Sequence, residues 1–239
     1  HVDCCLGGFL APFAEDYGHK VPKFDFRLKA VTSISCDHHK YGLAPKGVSV
    51  VMFKNSFYRS FAMFAITTWP GGIYATPGMC GSRAGVASAG AWIAMVYFGW
   101  KGYRERAEAI FKAQEKFIKA LQQIPEVKII GDPKLGTLSI KSNKKGMNIY
   151  SVHDLMLKKG WHLNATHRPA AIQFLLNYCN IQFLDNLIKD LRECINKCAN
   201  DPTLNSDNKW SSLYASAAKL PTTLVEEGSK VALESFLKV

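Results

Sequence analysis

Lys40 is the first residue whose surroundings suit chemistry. It follows the β-branched stretch Ala30–Ser35, stands behind His38 and His39, and precedes the tight Tyr41–Gly47 turn. A lysine that makes a Schiff base needs a fixed position and a depressed pKa, and a strand end with cationic neighbours offers both. His39 beside it and Lys46 six residues on each add positive potential. Asp3 supplies a second group, closing the apolar phrase His1-Val2-Asp3. A carboxylate at a strand end near such a lysine suits pyridoxal phosphate, whose ring nitrogen must keep its proton to act as an electron sink. Each residue alone also has a plainer reading: a solvated loop lysine, and an aspartate opening the turn before Gly7-Gly8.

Short strands separated by glycine-rich turns must position these groups. His1–Cys5 breaks at Leu6-Gly7-Gly8, Ala30–Ser35 runs into the polar cluster Cys36–Lys40, and Val48–Phe53 resumes as a buried strand. Gly71-Gly72 and Gly78–Arg83 form a second glycine-rich stretch. It leads into Ala84–Tyr97, whose small residues predict a buried helix. The second half changes character. Tyr103–Ile124 is charged and amphipathic, with Ile110, Phe111, Phe117, Ile118, Leu121 and Ile124 on one stripe, and Pro125 ends it. Val127–Ile130 and Leu135–Ile140 read as strands, and Ser151 as the cap of a helix ending near Gly160. Trp161–Asn164 and Ala171–Leu176 read as two more strands before a closing helix, Phe183–Cys198. This half predicts an α+β arrangement, with helices on one side of a small antiparallel sheet.

Composition narrows the classes. A chain of 239 residues, 48% hydrophobic and 21% charged, is a folding chain and not a disordered one. No run of about 18 apolar residues occurs, and no charged region followed by an apolar stretch opens the chain. It starts at His1 inside a strand-like phrase, which reads as a processed or partial sequence. The net charge of +11 is spread, +4 over residues 1–100 and +7 over 101–239. Such a spread favours anionic ligands in general; without a recognition signature, nucleic acid is not expected as a partner. The seven cysteines form no CxxC pair and no His/Cys metal spacing, so no metal site is expected. Their odd number suggests reduced thiols facing the cytosol. Cys194 and Cys198 read as neighbouring thiols on a helix, His153 and His162 as helix-surface and core-edge histidines, and His167-Arg168 as loop residues. Trp92, Tyr97, Phe98 and Trp100 read as core or dimer-interface aromatics.

Longer strings are more specific than any of these. Cys5-Leu6-Gly7-Gly8-Phe9, Phe24-Asp25-Phe26-Arg27 and Val31-Thr32-Ser33-Ile34-Ser35 precede Asp37-x-His39-Lys40-Tyr41-Gly42-x-Ala44-Pro45-Lys46-Gly47. Trp69-x-Gly71-Gly72-Ile73-Tyr74-Ala75, Gly81-Ser82-Arg83 and Lys159-Gly160-Trp161-x-Leu163-Asn164 follow. In this order the strings resemble the sphingosine-1-phosphate lyases, a group within the pyridoxal-phosphate enzymes related to group II decarboxylases. The likeness covers most of the chain and fades after about residue 200. It departs at His38, where the family shows Thr, and at Ala84, where it shows Pro. His38, with an unperturbed pKa near 6.5, is expected to alter pH dependence near the site.

The resemblance implies an α/β, fold-type-I transferase-like protein: part of the cofactor-binding large domain over 1–110, a smaller α+β C-terminal domain over 111–200, and a tail over 201–239. It assigns Lys40 as the Schiff-base lysine, Asp3 as the pyridinium partner, His39 as the histidine close to the cofactor, and Cys5 as a cysteine near the site. Lys46 would hold substrate phosphate, with Arg83 beside it in that task. Gly81, Ser82 and Arg83 would reach the cofactor phosphate of a neighbouring subunit in a homodimer. The implied reaction is retro-aldol cleavage of the C2–C3 bond of a phosphorylated sphingoid base, giving a long-chain aldehyde and phosphoethanolamine. The implied location is the endoplasmic reticulum membrane with the catalytic part facing the cytosol, reached through an anchor in an upstream half that also carries the phosphate loop. The alternatives are a group II amino-acid decarboxylase and an inactive segment that serves dimerisation.

Overall fold

A computed structural model describes residues 1–205 and 220–237. The chain divides into two compact units, residues 1–109 and 110–239. The remainder of the expected 201–239 tail, residues 206–219 and 238–239, lies outside the described residues.

The first unit is built on a three-stranded sheet. Strand β1 (Val2–Cys4) runs parallel to β2 (Ser33–Cys36), with Val2 opposite Ile34, Asp3 opposite Ser35 and Cys4 opposite Cys36. Strand β3 (Val50–Phe53) pairs antiparallel on the other side of β2. Cys4, Ile34 and Val31 form the buried centre, covered by Val2, Phe24 and Phe26. A short helix, α1 (Ala11–Ala14), buries Phe13 and Ala14. Gly8 has to be glycine here: a Cβ at that position would stand 2.3 Å from Cys36 Sγ.

Helix α2 (Ser56–Ser60) starts at Asn55, whose side chain accepts a hydrogen bond from the Tyr58 amide at 3.2 Å. It leads to an antiparallel hairpin of β4 (Phe64–Ile66) and β5 (Tyr74–Thr76), with the Gly71-Gly72 stretch at its turn. Helix α3 (Gly85–Gln122) then carries the chain from one unit into the other, and its helical backbone is broken at Gly99, where φ is 57°. The expectation of a buried helix over 84–97 is overturned. Only Ala91 and Ala94 in that stretch are buried, while Val86, Trp92, Ile93, Val96 and Tyr97 are exposed. Two alanines three apart make a narrow face against the unit, and the bulky side chains project from the rest of the helix.

The second unit holds a four-stranded sheet in the order β6 (Val127–Ile129), β7 (Thr137–Ser142), β9 (Ala170–Leu175), β8 (Asn164–His167), antiparallel throughout. Helix α4 (Ile149–Lys158) packs on β9 and on α5 (Leu184–Asn200). The C-terminal part of α3 sets Phe117 edge-on to Phe174 of β9, with ring centres 5.0 Å apart. Gln114 is fully buried; its Nε2 donates to the Pro133 carbonyl at 2.8 Å and its Oε1 accepts from the Gly136 amide.

Several local expectations shift. Helix α4 is capped by Asn148, whose side chain accepts from the Tyr150 amide at 3.0 Å, and Ser151 is fully buried in the first turn. Strand β8 begins at Asn164, where the sequence placed a strand to end. Trp161 lies before it because its indole N–H donates to Asp190 at 2.8 Å, tying that stretch to α5. His153 is buried, not on the helix surface, with its Nε2 2.9 Å from the Leu163 carbonyl. Arg168 donates to Thr222 Oγ1 at 3.1 Å, at the start of a last helix, α6 (Thr222–Leu237).

Candidate active site

Because β1 and β2 are parallel, their carboxyl ends lie on the same edge of the sheet. That edge is where open α/β sheets place their ligands. Asp3 stands near the end of β1, and Asp37–Lys40 follow the end of β2. The two ends are joined beyond the paired residues by the Asp37 amide donating to the Cys5 carbonyl at 3.3 Å.

Asp3 accepts two hydrogen bonds on Oδ1, from the Cys5 amide at 2.9 Å and from the Ser35 hydroxyl at 3.2 Å. The amide and the neighbouring Cys5 and Ser35 side chains hold the carboxyl below its usual range, with a smaller contribution from the Lys40 charge. His1 lies against the same Ser35, with Nε2 3.3 Å from its Oγ, and against Ser33, with Nδ1 2.8 Å from its Oγ.

Lys40 Nζ sits 2.9 Å from Asp37 Oδ2. This overturns the expected depression of the lysine: the Asp37 carboxylate, and after it the Cys5 side chain, push Lys40 above the ordinary lysine value. An opposite charge in contact favours the ammonium more than partial burial disfavours it. Asp37 is itself held low, first by a hydrogen bond from the Ser49 hydroxyl and then by Lys40. Cys5 donates its amide to Asp3 and accepts on its carbonyl from the Asp37 amide, and Asp37 holds Lys40, so Asp3, Cys5, Asp37 and Lys40 form one cluster.

His39 is fixed by Nδ1, 2.6 Å from the Val48 carbonyl. A carbonyl only accepts, so Nδ1 carries the hydrogen, and Nε2 faces Asp37 Oδ2 at 3.6 Å. His38 turns the other way, edge-on to Phe9 with ring centres 5.2 Å apart. Burial pushes His38 below its usual pKa, so the ring is neutral at pH 7 and its titration moves toward acid. Gly42 lets the loop close: a Cβ there would meet the His38 carbonyl at 2.6 Å and the Phe9 ring at 2.7 Å. Its own carbonyl accepts from the Tyr103 hydroxyl at 2.8 Å. Leu43 follows with φ of 58°, a left-handed conformation of the kind found beside functional sites.

The remaining expected residues stand apart from this cluster. Lys46 is exposed in the turn before β3, and Gly81, Ser82 and Arg83 are exposed in the segment between β5 and α3. Among the described residues no hydrogen bond or ion pair joins any of them to Asp3 or Lys40. The sequence reading passed over Asp37 and Ser49 as participants. Asp37 left a usable signal, since a carboxylate three residues before a lysine in a tight turn is within reach of it; Ser49 left none.

Residues 1–142 match the model of the pyridoxal-dependent decarboxylase conserved domain. The chain is 40% identical to sphingosine-1-phosphate lyase of Arabidopsis thaliana over 221 residues, 92% of this chain and 40% of that protein. It therefore spans well under half the length of this relative. Among solved structures, the sphingosine-1-phosphate lyase of Burkholderia pseudomallei superposes with a TM-score of 0.78 at 37% identity, over 83% of this chain and 45% of the other. The glutamate decarboxylase of Lactobacillus brevis gives 0.70 at 26% identity, over 84% and 47%. A match to the domain model from the first residue past the middle of the chain, with these folds, establishes that the chain belongs to the pyridoxal-dependent decarboxylase family, in the α/β fold-type-I class.

Proposed function

We propose that this chain is the lysine-bearing part of a carbon–carbon lyase that cleaves a phosphorylated sphingoid base into a long-chain aldehyde and phosphoethanolamine. The observation that carries this reading is the gathering of Asp3, Cys5 and Lys40 at one edge of the sheet, in a chain 40% identical to a sphingosine-1-phosphate lyase. The residues suit pyridoxal phosphate: an ionised carboxylate and an amine stand on neighbouring parallel strand ends, within electrostatic reach of each other. When bound, that cofactor supplies an electron sink for the bond to be broken.

In this reading Lys40 Nζ is the nucleophile that holds the cofactor covalently. Asp3, kept ionised by the Cys5 amide and the Ser35 hydroxyl, keeps the proton on the ring nitrogen. His39 presents a ring oriented by the Val48 carbonyl, and Cys5 holds Asp3 in place through its amide. Lys46 and Arg83 are the cations that would take the substrate phosphate, a charge-assisted contact stronger than a neutral hydrogen bond. Gly81 and Ser82 would serve the cofactor phosphate of a second copy. The exposed bulky side chains of α3 would be covered by a second copy or by further protein of a longer chain. Among the described residues no helix is long and apolar enough to cross a membrane, so attachment to the endoplasmic reticulum would come from a segment outside them.

The test is visible absorption after adding pyridoxal phosphate, on wild type and Lys40→Ala. Wild type gains the band of lysine-bound cofactor and the variant does not; equal spectra overturn the reading. Assays with phosphorylated sphingoid bases against aromatic amino acids then separate the lyase from a decarboxylase. The lyase reading requires aldehyde release from the former and no carbon dioxide from the latter.

A further inference from the structure

We propose that Asp37 is a positioning residue of this site: its carboxylate, tethered by Ser49, grips the Lys40 ammonium and governs how readily that amine becomes a nucleophile. The inference rests on the reading of Lys40 as the reactive lysine and goes beyond it by naming the group that controls the amine.

The geometry gives Asp37 three ties. Its Oδ1 accepts from the Ser49 hydroxyl, its Oδ2 lies 2.9 Å from Lys40 Nζ, and its backbone carbonyl accepts from the Lys40 amide at 3.3 Å. Ser49 Oγ also lies 3.2 Å from the Cys36 carbonyl, so it is pinned to the end of β2. The Asp37 side chain is 12% exposed, which limits how far water screens the pair, and Lys40 is 34% exposed, which leaves the amine open to a reagent.

Only the neutral amine attacks a carbonyl. The charged and titratable groups facing Lys40 are Asp37 with His39 3.6 Å beyond it on the loop, and Asp3 and Cys5 from the end of β1. Asp37 makes the closest contact and is the largest influence on the lysine. The proton that must leave Lys40 before attack is therefore held against Asp37. Losing this carboxylate raises the neutral fraction near pH 7, and an opposite charge in contact is typically a shift of about one unit or more, or roughly tenfold in that fraction.

The experiment needs no catalysis. The full chain, wild type, Asp37→Asn and Ser49→Ala, is treated with formaldehyde and cyanoborohydride across pH 6 to 10. Methylation of Lys40 is read by peptide mass spectrometry against exposed Lys46 in the same chain. Asp37→Asn is expected to raise the Lys40 rate on the order of tenfold near pH 7 and to move its pH profile toward acid. Ser49→Ala, which keeps the carboxylate and loses its tether, should give a smaller shift in the same direction. Circular dichroism confirms that each variant is folded; if Asp37→Asn is not, Ser49→Ala carries the test. An unchanged Lys40 profile in the folded variants overturns the proposal. A shifted profile in a chain that gains no cofactor absorption would leave Asp37 in its role and sink the lyase reading instead.

Discussion

Residues 110–239 bury Phe111, Phe117, Phe174, Ile140, Met156, Ile172 and Leu191 almost completely, each under 2% exposed or close to it. Residues 1–109 instead leave Phe61 at 74%, Trp92 at 66%, Tyr97 at 80% and Trp100 at 69% exposed, beside a small core around Cys4, Val31 and Ile34. Apolar residues are plentiful in both, so composition does not separate them. What differs is where the large side chains end up. The second unit closes a four-stranded sheet under helices and pairs its fully buried Gln114 with Pro133 and Gly136. The first unit keeps its reactive groups on an open sheet edge and many of its bulky side chains on the surface. A unit built that way is suited to being covered, and its chemistry is suited to being completed, by other protein.

The sharpest way to break this contrast is to remove one aromatic ring from each unit. Phe174→Ala takes away the ring that meets Phe117 and should destabilise the second unit by about 3–5 kcal/mol in urea unfolding, as buried aromatic deletions do. Trp92→Ala removes a larger ring, yet it should change stability by no more than about 0.5 kcal/mol. Its effect should appear in sedimentation, as weaker self-association of the full chain. Comparable destabilisation by the two substitutions would erase the contrast.

A smaller effect tests the polar accounting of the second unit. Gln114→Ala leaves the Pro133 carbonyl and the Gly136 amide without their buried partner, at a cost of about 1–3 kcal/mol. Gln114→Glu should also destabilise, because one of its two partners is a carbonyl that a carboxylate cannot serve.

The smallest effect concerns pH. Lys159 bonds Asp190 and Glu193, each at 2.8 Å, and Lys197 bonds Glu193 at 2.8 Å. Lys159 first, then Lys197, pulls Glu193 from 4.5 to about 2. A carboxyl lowered on folding adds stability above its unfolded pKa and loses it as pH falls toward the folded value. The contribution of Glu193 is thus present above about pH 4.5 and fades toward pH 2. Glu193→Gln should flatten the acid limb of a thermal-stability profile by lowering the curve above about pH 4.5 and leaving it unchanged near pH 2, and the loss at pH 7 should be small, since the pair is exposed. A large loss at pH 7 would show that this surface network supports the second unit as its core does.

Much of the second unit is legible in sequence because its signals are local and agree with one another. The stripe from Ile110 to Ile124 needs only helical periodicity, and Pro125 needs only its missing N–H. Boundaries are harder where a tertiary bond competes with local pattern. Trp161 sits in a strand-like phrase, but Asp190 takes its indole and delays β8 to Asn164. Asn148 outcompetes Ser151 as a cap because its side chain reaches the Tyr150 amide from outside the helix. The first unit misleads at Ala84–Tyr97, since small residues signal close packing on one face and say nothing about what covers the others.

The sequence by itself determined the reactive types and their order: a lysine after a β-branched strand, an aspartate after an earlier one, and strings specific enough to point to a family. Residue type and strand periodicity are properties of the chain, and they survive any packing. Only the tertiary structure decided that parallel pairing of β1 and β2 brings Asp3 and Cys5 to the edge that holds Lys40. The tether from Ser49 to Asp37 is likewise tertiary, and the Asp37 it holds meets Lys40 within one turn and reverses the expected direction of that lysine's pKa. Charges act through distance, and the 3.2 Å between the Ser35 hydroxyl and Asp3, on different strands, exists only once the chain has folded.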